Sequence, residues 1–228
     1  MNQTTTKAAK GRVQRRRALT RTKLLRAACQ LMSTKGIDET TIDEITNTAD
    51  VGFGTFYNYF SSKDEIATRV LDCVIHTLGR RNDLANRSAG VTDPVFIIAN
   101  SVRLVAREMM TNPMWRWWLK RTDLMVQRMR AGFKAFGIRD MKVAIEAGAY
   151  EITDGDLETA WSFVIWLLAG SITDIVEGYR PASTERLMAE AVMRVMGVNQ
   201  DLARRVSAAP LPPYPEMEID FDFELIET

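Results

Sequence analysis

The densest run of side chains able to form hydrogen bonds to a partner lies between Thr40 and Lys63. Thr40, Thr41, Thr55, Tyr57, Asn58 and Tyr59 supply hydroxyls and an amide, and Lys63 supplies a cation. Gly52 and Gly54 allow the backbone to approach a ligand closely. Hydroxyls, an ammonium and bare backbone N–H groups suit phosphate oxygens, whereas an amide such as Asn58 suits a base edge. Phe53, in the same run, cannot donate to a guanine but can pack on a thymine methyl. No comparable set supports catalysis. His76 is the single histidine, and there is no nucleophile–base pair, metal-ligand spacing or glycine-rich phosphate loop. Neither an enzyme nor a cofactor is expected.

Charge distribution agrees with a polyanionic partner. Residues 1–60 hold ten basic and five acidic side chains, and the other 168 residues hold 20 and 24. A basic front on a mildly acidic body is the asymmetry expected of a nucleic-acid binder, although a solvated basic tail without a partner would give the same count. Cys29 and Cys73 lie far apart and form neither a disulfide framework nor a zinc site, which fits a reducing, cytoplasmic setting. The polar, basic start has no apolar run behind it and does not read as a secretory signal. The longest apolar stretch, Trp161–Thr173, is interrupted by Ser162, Gly170 and Ser171. It is expected to be a buried helix too short to span a bilayer, so no membrane partner is expected.

The elements that must position the polar run are helical. Leu24, Leu25, Ala28, Leu31 and Met32 recur at three- and four-residue spacing from about Arg17, and Gly36 ends that helix. Thr41 to Glu44 fits a capping box that opens a second short helix, with Ile42 and Ile45 inside. A tight turn at Asp50–Gly52 precedes a short third helix over Gly54–Phe60. Ser62 to Glu65 forms a second capping box, opening a long helix to about Leu84. Three short helices with a tight turn between the last two form a helix-turn-helix over about 41–60. Its third helix must be short and polar enough to enter a major groove.

The segment TTIDEITNTADVGFGTFYNYFSSKDEI resembles the DNA-binding signature of the tetracycline-repressor (TetR) family, a likeness that runs from about Arg17 to Leu78. Its most specific part is the TFYxxFxxK pattern from Thr55 to Lys63. The resemblance implies an all-α protein of nine or so helices with an N-terminal helix-turn-helix domain. It also implies a larger C-terminal helical domain for ligand binding and homodimerisation, and repression relieved by a small molecule. By position, Thr41, Thr55, Tyr57 and Lys63 would grip the phosphate backbone of double-stranded DNA carrying an inverted-repeat operator. Tyr59 stands where the family often has histidine. Gly52 and Phe53 replace the usual turn serine and basic residue, so the operator cannot be borrowed from other members.

This reading divides the chain into a basic flexible arm at 1–16, a DNA-binding domain at 17–78, a ligand-binding and dimerisation domain at 79–207 and a Pro-containing acidic tail at 208–228. Arg16 and Arg17, at the end of the arm, are expected to add DNA contacts. In the second half, helices are expected from Asp93 to about Met110, from Pro113 into a helix to about Phe136, over Ile138–Ala149, Leu157–Tyr179 and Thr184–Met196, with a further one at 199–207. A turn is expected at Tyr150–Gly155. Met110, Met114, Trp115, Trp118, Met125, Met129, Trp161 and Trp166 are candidates to line an apolar pocket for an acyl or aromatic effector, although ordinary core explains most residues in such a stripe. The Leu157–Tyr179 and Thr184–Met196 helices are the expected dimer surface, with Gly170 and Gly178 permitting close approach. The tail carries six acids and no base from Glu216 onward. It is expected to be a disordered solubilising segment, the alternative being that it adds an edge strand or docks on a basic surface. A DNA-binding activator and a thiol-based redox regulator remain as alternatives to a repressor.

Overall fold

The computed structural model describes residues 2–152 and 156–225, with residues 2–12 described as backbone only. It is all-helical among the described residues, in the order α1 (Asn2–Lys35), α2 (Ile42–Thr48), α3 (Phe53–Phe56), α4 (Lys63–Ser88), α5 (Pro94–Thr111), α6 (Met114–Leu119), α7 (Thr122–Glu146), α8 (Leu157–Val176), α9 (Thr184–Val195) and α10 (Gln200–Ala208). Local chemistry accounts for most of the ends. Thr41 and Glu44 form the reciprocal capping box in front of α2. Ser62 accepts from the Glu65 N–H at 3.1 Å, but the Glu65 carboxylate reaches the N–H and hydroxyl of Ser61 instead of Ser62, at 2.6 and 2.7 Å. Asp93 caps α5, with Pro94 at its first position, and Asp156 caps α8. Gly36 closes α1 at φ +88°, its N–H returning to the Met32 carbonyl at 2.9 Å.

Several boundaries differ from the sequence reading. The basic arm continues α1 as helix instead of forming a separate flexible segment. α4 passes without a break through the boundary expected at 78 and 79. α7 is continuous where two helices were expected, because Gly132 and Gly137 are absorbed inside it, their small size admitting Ile75 and Trp161 at close range. The turn expected at Tyr150–Gly155 falls partly outside the described residues. Gly178 adopts φ +81° just beyond α8, so it ends that helix and does not serve a helix crossing. α8 is 20 residues long and apolar enough, by length and composition, to cross a membrane. Here it packs against α5, α7 and α9.

The core has two connected parts. Leu24, Leu25, Ala28 and Met32 of α1 pack with Ile45, Phe56, Phe60, Ile66, Val70 and Leu71, making a small three-helix head seated on the first half of α4. The second half of α4 packs on α5 and α7 within the larger bundle of α5–α10. Two buried charge clusters tie the elements together. Arg128 on α7 makes a bidentate contact to Asp72 on α4 at 2.7 and 2.5 Å, with Arg69 3.6 Å from the same carboxylate. Glu185 on α9 accepts from Arg107 at 2.6 and 2.8 Å and from Arg103 at 3.4 Å, both on α5. Burial opposes ionisation of Glu185, but the two arginines outweigh it and hold the carboxyl below its usual range.

The tail is ordered over its described residues, 208–225, and follows the docking alternative instead of the expected disorder. It runs extended along α4 to α1, with Phe221 buried, because Arg81, Arg80, Thr77 and Thr22 offer partners for its polar groups. For the buried pair, Arg128→Ala would strand the Asp72 carboxylate. It is expected to lower unfolding free energy by about 3 kcal/mol in chemical denaturation. A loss under 1 kcal/mol would mean that water or Arg69 compensates.

Candidate functional site

The polar run singled out in the sequence forms one face of the N-terminal head. α2 braces α3 through buried Ile45, Ala49 and Phe56, with Val51 packed against the same core. Asp50 takes φ 53° in the intervening turn, a left-handed conformation that aspartate tolerates better than most residues. Gly52 precedes α3 with extended backbone and offers no side-chain cap. Phe53 is 51% exposed and Tyr57 53% exposed; Gly54 and Asn58 are exposed beside them, and Thr55 and Tyr59 are half-buried. The regular helix ends at Phe56. The chain continues as a tight turn, with Tyr59 and Phe60 N–H groups both bonded to the Phe56 carbonyl at 2.9 and 3.0 Å. The third helix is therefore shorter than the expected Gly54–Phe60, and Tyr57–Tyr59 are presented by a turn.

Arg17 joins this face. Its guanidinium donates to the Asn58 carbonyl at 3.5 Å and lies 5.8 Å from the Tyr59 ring centre. Arg16 is exposed on the adjoining turn of α1. At the other edge, Thr41 is exposed, and its hydroxyl is shared with Glu44 at 2.9 Å. The hydrogen bonds from Lys35 and Thr41 hold the Glu44 carboxyl down at about 2.

Two residues of the expected set have other duties. Thr40 is fully buried, and its hydroxyl donates to the Gly36 carbonyl at 2.7 Å. The Lys63 ammonium donates to the carbonyls of Ile37, Asp38 and Thr40 at 2.9, 3.2 and 2.9 Å. An ammonium has three protons, and all three are used. Lys63 thus staples the α1–α2 loop to the start of α4 and sets the height at which Thr41 stands. The signal for this role was present in the sequence, since the Gly36–Thr40 loop leaves carbonyls with no helix to bond, but phosphate chemistry explained the same lysine equally well.

A separate cavity of about 70 Å³ lies in the C-terminal bundle. Phe133, Phe136, Met141, Trp161, Val164, Ile165 and Leu168 give it apolar walls, and Asn82, Asp83, Ser101 and Asp140 supply polar groups. Gly79 and Gly137 sit against the rings of Phe136 and Trp161, leaving no room for a methyl group at either position. Arg139 bonds Asp83 at 2.7 and 2.9 Å and also bonds Asp140 at 2.8 Å. Burial pushes the Asp140 carboxyl above its ordinary range, against the opposing pull of Arg139.

Of the eight side chains expected to line a pocket, Trp161 alone is among the lining residues of this cavity. Met114, Trp115 and Trp118 are fully buried in α6, which inserts between α1, α7 and α8. Met125 and Met129 are fully buried on α7, and Met110 is half-buried. The short α6 delivers its tryptophans into packed core, where they fill volume and do not line this cavity. Trp166 is 46% exposed on the outer face of α8, beside Phe163 at 57%, and Leu187 and Val195 are exposed on α9. What sequence reasoning missed is the Gly79-Asn82-Asp83 side of α4. Polar residues one turn from a glycine on an otherwise apolar stripe were its signal.

The two cysteines are buried. Burial pushes the Cys29 thiol up to about 11 and the Cys73 thiol to about 12, so neither is a reactive thiolate near neutral pH. No group of three or more potential metal ligands is found among the described residues.

Comparison with known proteins gives matches in both halves. Residues 24–70 match the family described as bacterial regulatory proteins, tetR family, and residues 93–209 match the tetracyclin repressor-like C-terminal domain. An uncharacterized HTH-type transcriptional regulator, YvdT of Bacillus subtilis, is 40% identical over 57 residues, which is 25% of this chain and 29% of that protein. The chain thus matches less than a third of that curated relative. Among solved structures, RolR in complex with resorcinol superposes with a TM-score of 0.79 at 26% identity, covering 88% of this chain and 99% of that one. A transcriptional regulator FadR from Bacillus subtilis, in complex with stearoyl-CoA, shares the fold at TM-score 0.54 and 14% identity, covering 76% and 97%.

The three bonds of Lys63 generate a prediction. Lys63→Met is expected to lower the stability of the protein without DNA by about 2 kcal/mol, the scale of hydrogen bonds to a charged group. It should also weaken binding to all duplexes alike. Unchanged thermal stability would return Lys63 to the role of a free phosphate clamp.

Proposed function

This chain belongs to the TetR family of bacterial transcriptional regulators, and from that premise we propose that it is a homodimeric repressor released from its operator by a small hydroxylated aromatic compound. The observation that carries the DNA-binding part is the exposed face at Phe53, Gly54, Tyr57 and Asn58, projected by a buried α2–α3 brace. On this reading Tyr57, Thr55, Thr41 and the Gly52 and Gly54 backbone hold phosphate, with Arg16 and Arg17 adding charge from α1. Asn58 and Phe53 read base edges, the latter through thymine methyl groups. Two such heads must be about 34–36 Å apart, or a multiple of that, to reach successive major grooves on one face of the duplex. The dimer surface is the apolar outer face of α8 and α9, where Phe163, Trp166, Leu187 and Val195 are exposed and Gly170 leaves open space for a partner helix.

The effector class follows from the cavity. Aromatic walls suit a ring, and Asn82, Asp83, Ser101 and Asp140 suit hydroxyls. The bound resorcinol of RolR supports a small phenol over an acyl chain, which would outgrow the space. The cavity is smaller than the roughly 150 Å³ that accepts benzene in a packed core. A ring therefore enters by displacing Phe133, Phe136 or Met141. Because α4 is one wall of the cavity and also the seat of the head, that displacement favours a head spacing unsuited to the operator. Buried thiols and the absence of a reactive thiolate speak against redox control.

Selection of bound duplexes from a random pool with the purified protein is expected to return an inverted repeat. Recovery of no preferred sequence would end the operator reading. For the effector, resorcinol is expected to raise the melting temperature and to weaken binding to the selected duplex. Asp140→Asn should lower its affinity about tenfold or more, as loss of a charged hydrogen bond does. Equal affinity in that variant would remove Asp140 from the site.

A further inference from the structure

Residues 210–225 lie beyond both matched family segments, yet they are bonded along their length to two helices, α4 and α1. The segment leaves α10 at Ala209, whose carbonyl accepts from Arg103 of α5 at 2.6 Å. It then crosses α4. The Arg81 guanidinium lies 3.7 Å over the Tyr214 ring and donates to the Pro215 carbonyl, and the Tyr214 hydroxyl donates to the Asn82 side-chain oxygen at 3.1 Å. Further on, the Asp220 N–H donates to the Thr77 hydroxyl at 3.2 Å, and the Asp220 carboxylate is 3.6 Å from Arg80. The Phe223 ring stacks on His76 with centres 3.8 Å apart and planes 5° from parallel. The far end reaches α1, where Thr22 donates to Asp222 at 2.9 Å and Arg21 lies 3.7 Å from Glu224.

Asn82 therefore has two jobs. It faces the cavity and also accepts the hydroxyl that anchors the near end of the tail. A gap of about 130 Å³ beside Met217 and Ile219, and an open surface groove beside Glu218 and Phe221, lie between these anchors. The tail is thus held at discrete points, and an individual anchor matters more than it would in a close-packed element.

We propose that residues 210–225 are a strap that holds α1 against α4, and that a cavity occupant claiming the Asn82 amide oxygen unlatches Tyr214 and loosens that hold. The trigger rests on the cavity being an effector site; the strap itself does not. Docked, the strap links α4 and α1 in one span and limits how the head can pivot on α4. Unlatched, it frees α1, which carries Arg16 and Arg17 to the DNA face. Phenolic effectors suit this trigger because a hydroxyl donor competes directly with the tyrosine hydroxyl for one acceptor.

The test uses the full chain, Tyr214→Phe, Thr22→Val and a chain ending at Ala209, each checked by thermal melting. In Tyr214→Phe without ligand, amide exchange at Asp220 and Asp222 is expected to rise about fivefold, the effect of losing one net hydrogen bond on local opening. The chain ending at Ala209 is expected to bind the selected duplex more weakly than wild type. Thr22→Val, which removes the Asp222 bond and leaves the Arg21–Glu224 pair, should weaken it in the same direction by less. Unchanged exchange in Tyr214→Phe overturns the latch. Tighter DNA binding by the shortened chain overturns the strap and shows simple repulsion by the acidic tail instead. In wild type, resorcinol should raise exchange at the same two amides. Resorcinol that binds by calorimetry without doing so overturns the trigger. Resorcinol that does not bind sinks the proposed effector class, while Tyr214→Phe still decides the latch and the shortened chain the strap.

Discussion

The contact between Asp72 and Arg128 pins α4 to α7, and most of the molecule is arranged around a helix held in that way. A carboxylate that is 2% exposed is stable there because a guanidinium fork satisfies both of its oxygens. With α4 fixed, its first half becomes the floor of the N-terminal head through Ile66, Val70 and Leu71. Its second half becomes a cavity wall through Gly79, Asn82 and Asp83. The chain carries no hinge between these halves, so whatever moves the wall also moves the floor.

The charges in the head follow a division of labour. Groups that set its shape are satisfied internally: Lys63 by three carbonyls, Glu44 by Lys35 and Thr41, and Glu65 by Ser61. Groups exposed on the same face are aromatic, amide and hydroxyl side chains together with arginines on α1. The basic residues stand at the edge of this face, on α1, and not at its centre.

The helix-turn-helix was legible because each of its parts is coded locally. The Thr41 capping box, Gly36 as terminator, and the three- and four-residue spacing of Leu24, Leu25, Ala28 and Met32 are short-range signals that survive in any surroundings. The position of the open cavity was not legible, for the opposite reason. Methionine and tryptophan density identifies apolar volume, but whether that volume is filled or left open depends on which helix is inserted beside it. α6 filled the space at Trp115 and Trp118, and the gap opened instead where Gly79 and Gly137 let aromatic rings approach.

The chain alone determined its helical periodicity, its caps, the polar face between Thr41 and Asn58 and the basic character of its start, because these depend on neighbours within one or two turns. Tertiary packing decided the rest. It buried Thr40, drew Lys63 onto carbonyls 23 to 26 residues away, and gave the acidic tail a seat on residues some 130 to 200 positions earlier. An acidic, proline-containing stretch reads as unstructured when its own composition is all that is weighed. Its order comes from Arg81, Thr77, Thr22 and the ring of His76, which meet only after α1 and α4 have packed.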